Sequence, residues 1–263
     1  MRYVANATGL VETDLVEYAT AGGGPGLVLV HGTGGDAESN YGHLVDRFSD
    51  RHTVITPNYS GSGGTKDSGG PLTVEGLARQ VEAAIVDSGV PGPVAVVGFS
   101  LGAGVAAALA AVRPEMVSRL VLVAGWAVTG PRQRLAFDLW RRLWSADPAL
   151  FSRFVTAEGW SPAWLDGAGD AAVERTVAET SFPEGIRRQI DLDAELDISA
   201  LLPDITAPTL VIGATRDQMV PVTYTRQLHK AIRGSRYEEL DSGHMVIYER
   251  PDELVALIRD FIV

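Results

Sequence analysis

Four short, unbroken apolar runs limit what this chain can become: LVLVH at 27–31, VAVVG at 94–98, RLVLVA at 119–124 and PTLVIG at 208–213. Each is only about one strand long and rich in β-branched residues, which suits a strand better than a buried helix. None alternates apolar with polar, so both faces must be covered, as in a parallel sheet sandwiched between helices. Residues 53–57 repeat the pattern and 236–240 make a last strand, while 2–6 and 11–18 read as two opening strands paired antiparallel. Helical stretches separate them: 73–88 after Pro71, the Ala-rich 101–112 ending before Pro114, and 221–233 and 251–262, each with proline near its first turn. Alternating strands and helices predict an α/β fold with a mostly parallel sheet flanked by helices.

Residues 126–206 break the rhythm. They hold no convincing buried strand, but amphipathic stretches at 132–145, 149–156, 171–180 and 182–192. All five tryptophans (Trp126, Trp140, Trp144, Trp160 and Trp164) fall here. The expected organisation is a core of 1–125 and 207–263 with 126–206 inserted as a helical cap. A length of 263 residues fits one large domain with such an insertion. The aromatics either form the cap's own core or wall a site that favours apolar substrate bulk. With 46% apolar and 21% charged residues, a disordered chain or a fibre is excluded. A net charge of −11 and a pI near 4.9 argue against nucleic-acid or anionic-membrane partners. No run approaches the ~18 apolar residues of a membrane span. The opening MRYVANATGL lacks the apolar centre of a secretory signal, so a cytoplasmic location is expected. Cysteine is absent, which removes disulfides, thiolate nucleophiles and Cys-ligated metals.

Between an apolar strand and the Ala-rich helix lies Gly98-Phe99-Ser100-Leu101-Gly102, of the form G-x-S-x-G. In that context it reads as a nucleophile elbow, a tight turn that lifts the serine oxygen over the sheet beside a helix N-terminus. A serine hydroxyl is a weak nucleophile at neutral pH and needs a base, which needs an orienting acid. Of five histidines, His244 in Asp241-Ser242-Gly243-His244-Met245 follows a strand's carboxyl end, where α/β sheets place ligands. Asp217, in Gly213-Ala214-Thr215-Arg216-Asp217, is the expected acid, with Asp241 and Asp204 as rivals. The glycines of His31-Gly32-Thr33-Gly34-Gly35 let the backbone fold toward the site, and the N–H groups of Thr33 and Leu101 are the expected oxyanion donors. His31 reads as a structural residue at the loop base. Met219 and Met245, beside the acid and the base, and Trp126, Trp140 and Trp144 are candidate substrate contacts. Arg132, Arg134, Arg141 and Arg142 are weaker candidates to meet a substrate carboxylate, because their spacing is that of a solvated helix face.

These pieces, HGTGG, GFSLG, GATRD and DSGHM in the order Ser…Asp…His, resemble the α/β-hydrolase superfamily over nearly the whole chain. The resemblance implies an eight-stranded sheet with only the second strand antiparallel. It also implies a cofactor-free, metal-free serine hydrolase whose partner is a small ester or lactone, partly apolar and of medium size. Serine at position 100, rather than the aspartate of relatives that open epoxides or displace halide, suits acyl transfer. Alternatives on the same fold are C–C bond hydrolysis, acyl transfer to another acceptor, natural-product tailoring, or a slow-turnover ligand-binding protein. One departure is visible: many relatives carry Asp-x-Arg-Gly-x-Gly where this chain has Asn58-Tyr59-Ser60-Gly61-Ser62-Gly63. That puts the geometry of the local loop in question.

Overall fold

The computed structural model describes residues 2–6 and 14–263. Eight strands form one sheet: β1 (Arg2–Asn6), β2 (Asp14–Gly22), β3 (Gly26–Val30), β4 (Thr53–Asn58), β5 (Val94–Phe99), β6 (Val117–Val123), β7 (Thr209–Ala214) and β8 (Arg236–Leu240). Their order across the sheet is β1-β2-β4-β3-β5-β6-β7-β8. β2 runs antiparallel to both neighbours and all other pairs are parallel. The second strand ends later than 18, because Ala21 and Gly22 stay in register with Val54 and Thr53 of β4. Positions 11–13 lie outside the described residues.

The apolar runs behave as their composition demands. β3, β5 and β7 are buried along their whole length, with side chains alternating between two cores. On one face Val28, Val30, Val96, Leu120 and Leu122 pack with α2 (Val74–Ser88), α3 (Leu101–Val112) and α9 (Val222–Ala231). On the other, Leu27, Leu29, Val97, Val121 and Ile212 meet α1 (Ala37–Val45) and α11 (Pro251–Ile262). Between β6 and β7 come five helices: α4 (Pro131–Ala146), α5 (Pro148–Gly159), α6 (Pro162–Ala168), α7 (Asp170–Glu179) and α8 (Ile186–Glu195). Two differences from the sequence reading stand out here. α6 spans only seven residues, too few for a periodic signal. α8 starts at Ile186 rather than 182, because Pro183 biases Phe182 away from helix. A four-residue α10 (Val246–Glu249) follows the histidine loop.

Because β3 is flanked by β4 on one side and β5 on the other, the chain reverses direction across the sheet there. The crevice beyond the carboxyl ends of β3 and β5 is the topological switch point where open α/β sheets bind ligands. Close packing of α3 makes that crevice. Every residue from Leu101 to Ala110 is buried, and the small side chains let the helix axis approach the sheet. At Gly102 the approach is closest: a Cβ there would lie 2.2 Å from the carbonyl oxygen of Val30 and 2.3 Å from that of His31. Gly102→Ala should therefore lower the urea midpoint by the equivalent of ~1–3 kcal/mol or more; an unchanged midpoint would mean that α3 can retreat freely from β3.

Candidate active site

Ser100 sits at the turn from β5 into α3 with φ 56° and ψ −122°, a conformation that L-residues rarely occupy and that costs about 1–3 kcal/mol. Surrounding bonds hold it there. Its N–H donates to the Val123 carbonyl (2.9 Å), and its own carbonyl accepts from Ala103 N–H (2.9 Å). Gly98 must be bare, since a Cβ would meet the Gly102 carbonyl oxygen at 2.2 Å. The strain lifts Oγ off the sheet toward the crevice.

Two loops from the far end of the chain meet it. His244 Nε2 lies 2.9 Å from Ser100 Oγ, and His244 Nδ1 lies 2.7 Å from Asp217 Oδ2. Asp217 Oδ1 accepts from Val220 N–H at 2.7 Å, which fixes the carboxylate plane. All three residues are buried, with 8%, 5% and 6% exposure for Ser100, His244 and Asp217. The neutral tautomer that satisfies every contact carries its proton on Nδ1 and accepts the serine hydroxyl at Nε2. Thr215 N–H donates to Leu240 O and Arg216 N–H to Ser242 O, so the acid loop and the histidine loop move as one. Glu249, also buried, accepts from Gly243 N–H (3.2 Å), from Ser161 N–H and from Ser161 Oγ–H (both 2.7 Å). With Met245 N–H donating to Gly159 O, this ties the histidine loop to the α5–α6 junction.

The rival acids are elsewhere. Asp241 is exposed and engaged by Arg216 and Thr215, and Asp204 is exposed before β7, at its amino end. The other histidines have other tasks. His31 stacks on Tyr59 at 3.9 Å, its Nδ1 contacts the Gly32 carbonyl, and burial lowers its pKa to about 4. His43 contacts the Ile247 carbonyl and His229 contacts Ser235.

The glycine-rich loop after β3 is held by borrowed acceptors. Gly32 N–H donates to Asn40 Oδ1, Gly34 N–H to Gln189 Oε1 and Gly35 N–H to the Gly32 carbonyl. Among the described residues, Thr33 N–H finds no acceptor. Leu101, as the first residue of α3, has an N–H without an intrahelical partner. Asn58, standing where many relatives have aspartate, accepts from Ala37 N–H and donates to Glu17, so the loop after β4 keeps an anchor.

A cavity of about 400 Å³ opens over Ser100 and His244. Trp126, Phe137, Trp140, Trp160, Phe182, Met219 and Met245 supply its apolar wall. Trp144 does not line it. One helical turn beyond Trp140, it packs edge-on against Phe151 and Phe182 as part of the aromatic core of 126–206. Nor do the four arginines reach the cavity: Arg141 and Arg142 pair with Asp138, Arg132 donates to the Gln218 carbonyl, and Arg134 is exposed. Glu158 accepts from Trp140 Nε1–H, and burial raises its pKa.

Sequence reasoning missed the polar face of α8. Gln189 accepts from Gly34 and donates to the Ser60 carbonyl and Ser62 Oγ. Asp193, 1% exposed, lines the cavity and accepts from Thr33 Oγ1–H at 2.6 Å. A signal existed: the buried stripe of α8 at 186, 189, 190 and 193 carries Gln and Asp where apolar residues belong. Among the described residues, no group of three or more His, Asp or Glu side chains is placed to hold a metal ion. No helix among them is long and apolar enough to cross a membrane.

The fold recurs in known proteins. Residues 27–257 match the model of the alpha/beta hydrolase family. A pyrrolizixenacetamide deacetylase from Xenorhabdus hominickii is 42% identical over 253 residues, covering 94% of each chain. The structure of Rv0554 from Mycobacterium tuberculosis superposes with a TM-score of 0.88 at 26% identity, covering 99% of this chain and 98% of the other. A thermophilic esterase from Thermogutta terrifontis has the same fold, with a TM-score of 0.85 at 21% identity over 99% of this chain and 97% of its own.

Burial raises the Asp193 carboxyl from an ordinary 3.8 to about 8, against the smaller opposing effect of the Thr33 hydrogen bond. The folded state thus holds a proton that the unfolded chain has released. Stability from this group is fullest below pH 4 and is lost as pH rises toward 8. Between pH 7 and 8, where His31 is neutral in the folded state and mostly neutral in the unfolded chain, chemical denaturation should show stability falling by up to about 1.4 kcal/mol per unit. Asp193→Asn should flatten that slope; a slope that survives the substitution would assign it to other groups.

Proposed function

The chain belongs to the alpha/beta hydrolase family, and from that premise we propose that it hydrolyses a carboxylic ester or lactone through an acyl-enzyme on Ser100. The single observation carrying this reading is the Ser100–His244–Asp217 relay, with contacts of 2.9 and 2.7 Å between buried groups. Ser100 Oγ attacks the carbonyl carbon as His244 Nε2 takes its proton. Asp217 holds the Nδ1–H tautomer and stabilises the imidazolium that forms. The carbonyl oxygen, now an oxyanion, is met by Thr33 and Leu101 N–H groups, each such donor worth ~3–4 kcal/mol of barrier. His244 then protonates the leaving alcohol, which departs or, from a lactone, stays tethered. Water enters, gives its proton to His244 and attacks the acyl carbon, and the acid leaves as the proton returns to Ser100.

In this reading residues 126–206 act as a cap, and the aromatic and thioether wall favours a partly apolar substrate of medium size. A second reading, amide deacetylation, is favoured by the relative named a deacetylase and 42% identical to this chain. The same relay would serve it, with His244 protonating an amine instead of an alcohol. Ester and amide reactions separate in one assay, by comparing p-nitrophenyl acetate with p-nitroacetanilide.

Ser100→Ala should abolish turnover of p-nitrophenyl acetate and labelling by a fluorophosphonate while leaving the folded state intact. Asp217→Asn should lower kcat by about 10⁴ through the wrong tautomer, and Asp241→Asn should leave it near wild type. Failure of wild-type protein to turn over any ester, lactone or amide in a broad panel, together with absence of labelling at Ser100, would refute the hydrolase reading. Damage from Asp241→Asn in place of Asp217→Asn would refute the acid assignment alone.

A further inference from the structure

Polar side chains, among them Asn40, Glu179 and Asp193, interrupt the apolar wall of the cavity. Four buried side-chain atoms among the described residues lack a hydrogen-bond partner: His31 Nε2, His52 Nδ1, Gln133 Nε2 and Asp193 Oδ1. Of their residues, only Asp193 lines the cavity. It is held firmly. Its backbone carbonyl accepts from Thr129 Oγ1–H (2.6 Å), which in turn accepts from Trp126 Nε1–H (2.7 Å), and its Oδ2 accepts from Thr33 Oγ1–H (2.6 Å). With Oδ2 anchored as an acceptor, the proton that this carboxyl keeps at pH 7 sits on Oδ1, an O–H donor without an acceptor.

Its location gives the missing acceptor a place. Thr33 N–H is the proposed oxyanion donor, and the Thr33 hydroxyl touches Asp193, so the carboxyl lies one side chain away from the scissile carbonyl. We infer that Asp193 is a specificity-determining residue, donating to a hydroxyl oxygen that the substrate carries close to the carbonyl under attack. This rests on the hydrolase reading and narrows its substrate class. An ester with such a hydroxyl satisfies the unmatched O–H; one without it leaves a buried donor unpaired, the arrangement by which enzymes discriminate most strongly against a missing polar group. Since burial holds the group largely neutral at pH 7, a hydroxyl, whose oxygen can accept, fits better than an ammonium, which has no lone pair to accept with. A purely structural tie between α8 and the loop after β3 would lower activity on all substrates alike.

The test compares kcat/KM for methyl butyrate, methyl 2-hydroxybutyrate and methyl 3-hydroxybutyrate, with active sites titrated by a fluorophosphonate. Wild-type protein should prefer at least one hydroxy ester by about tenfold or more. Asp193→Ala should bring that ratio close to one, whereas Asp193→Asn, which keeps a carbonyl for Thr33 and an N–H donor in place of the O–H, should retain most of it. Asp193→Leu replaces the alanine variant if the cavity left by alanine prevents folding. No preference in the wild type, or a preference that survives Asp193→Ala or Asp193→Leu, overturns the inference even though ester hydrolysis itself stands. If none of the esters turns over, the same ratios are read as Kd by quenching of tryptophan fluorescence in Ser100→Ala protein, since Trp126 and Trp140 line the cavity.

Discussion

The closeness of α3 to β3 and β5 is the constraint from which the rest of the site descends. A helix can approach a sheet that nearly only where side chains are missing, and Gly98 and Gly102 provide the gaps. The turn between them then has no relaxed solution, and Ser100 takes the positive φ that remains. That strain is held in place by the burial of an entire alanine-rich helix beneath it, whose apolar contacts greatly outweigh a local cost of a few kcal/mol. The first N–H of α3, that of Leu101, lacks an intrahelical acceptor as at any helix start, and it follows Ser100 directly. The proposed nucleophile and one proposed oxyanion donor thus stand side by side at the start of the same helix.

Polar contacts attach the helices of 126–206 to this frame. Glu249 couples the histidine loop to the α5–α6 junction, Gln189 spans the glycine-rich loop and the loop after β4, and Asp193 reaches Thr33. Buried hydrogen-bonded groups of this kind are costly to mismatch, so they specify one seating of the helices over the cavity. The exposed ion pairs, such as Arg153 with Glu174, add little by comparison because water screens them. Aromatic packing among Trp140, Trp144, Phe151 and Phe182 stiffens the roof from within.

Much of the sheet was legible because burial on two faces forces a composition that burial on one does not. The runs at 27–31, 94–98 and 208–213 could hardly have been anything but central strands. The elbow was legible because two glycines and a serine at fixed spacing answer a steric demand that few other residues meet. Trp144 was misjudged for the opposite reason. Two tryptophans one turn apart share a helical face, and periodicity cannot say which of them meets the cavity and which meets Phe151. The seven residues of α6 and the four of α10 were too short to show a period.

The amino-acid sequence by itself determined the strand and helix alternation, the identity of the serine turn, and the loops that bring in an imidazole and a carboxylate. These follow from local sterics and from patterns of burial, which are written residue by residue along the chain. Tertiary structure alone decided that Asp217 rather than Asp241 faces His244, and that Gln189 and Asp193 turn a polar stripe toward the loops around Ser100. Contacts between residues 160 positions apart depend on how whole elements dock, and no local propensity carries that information.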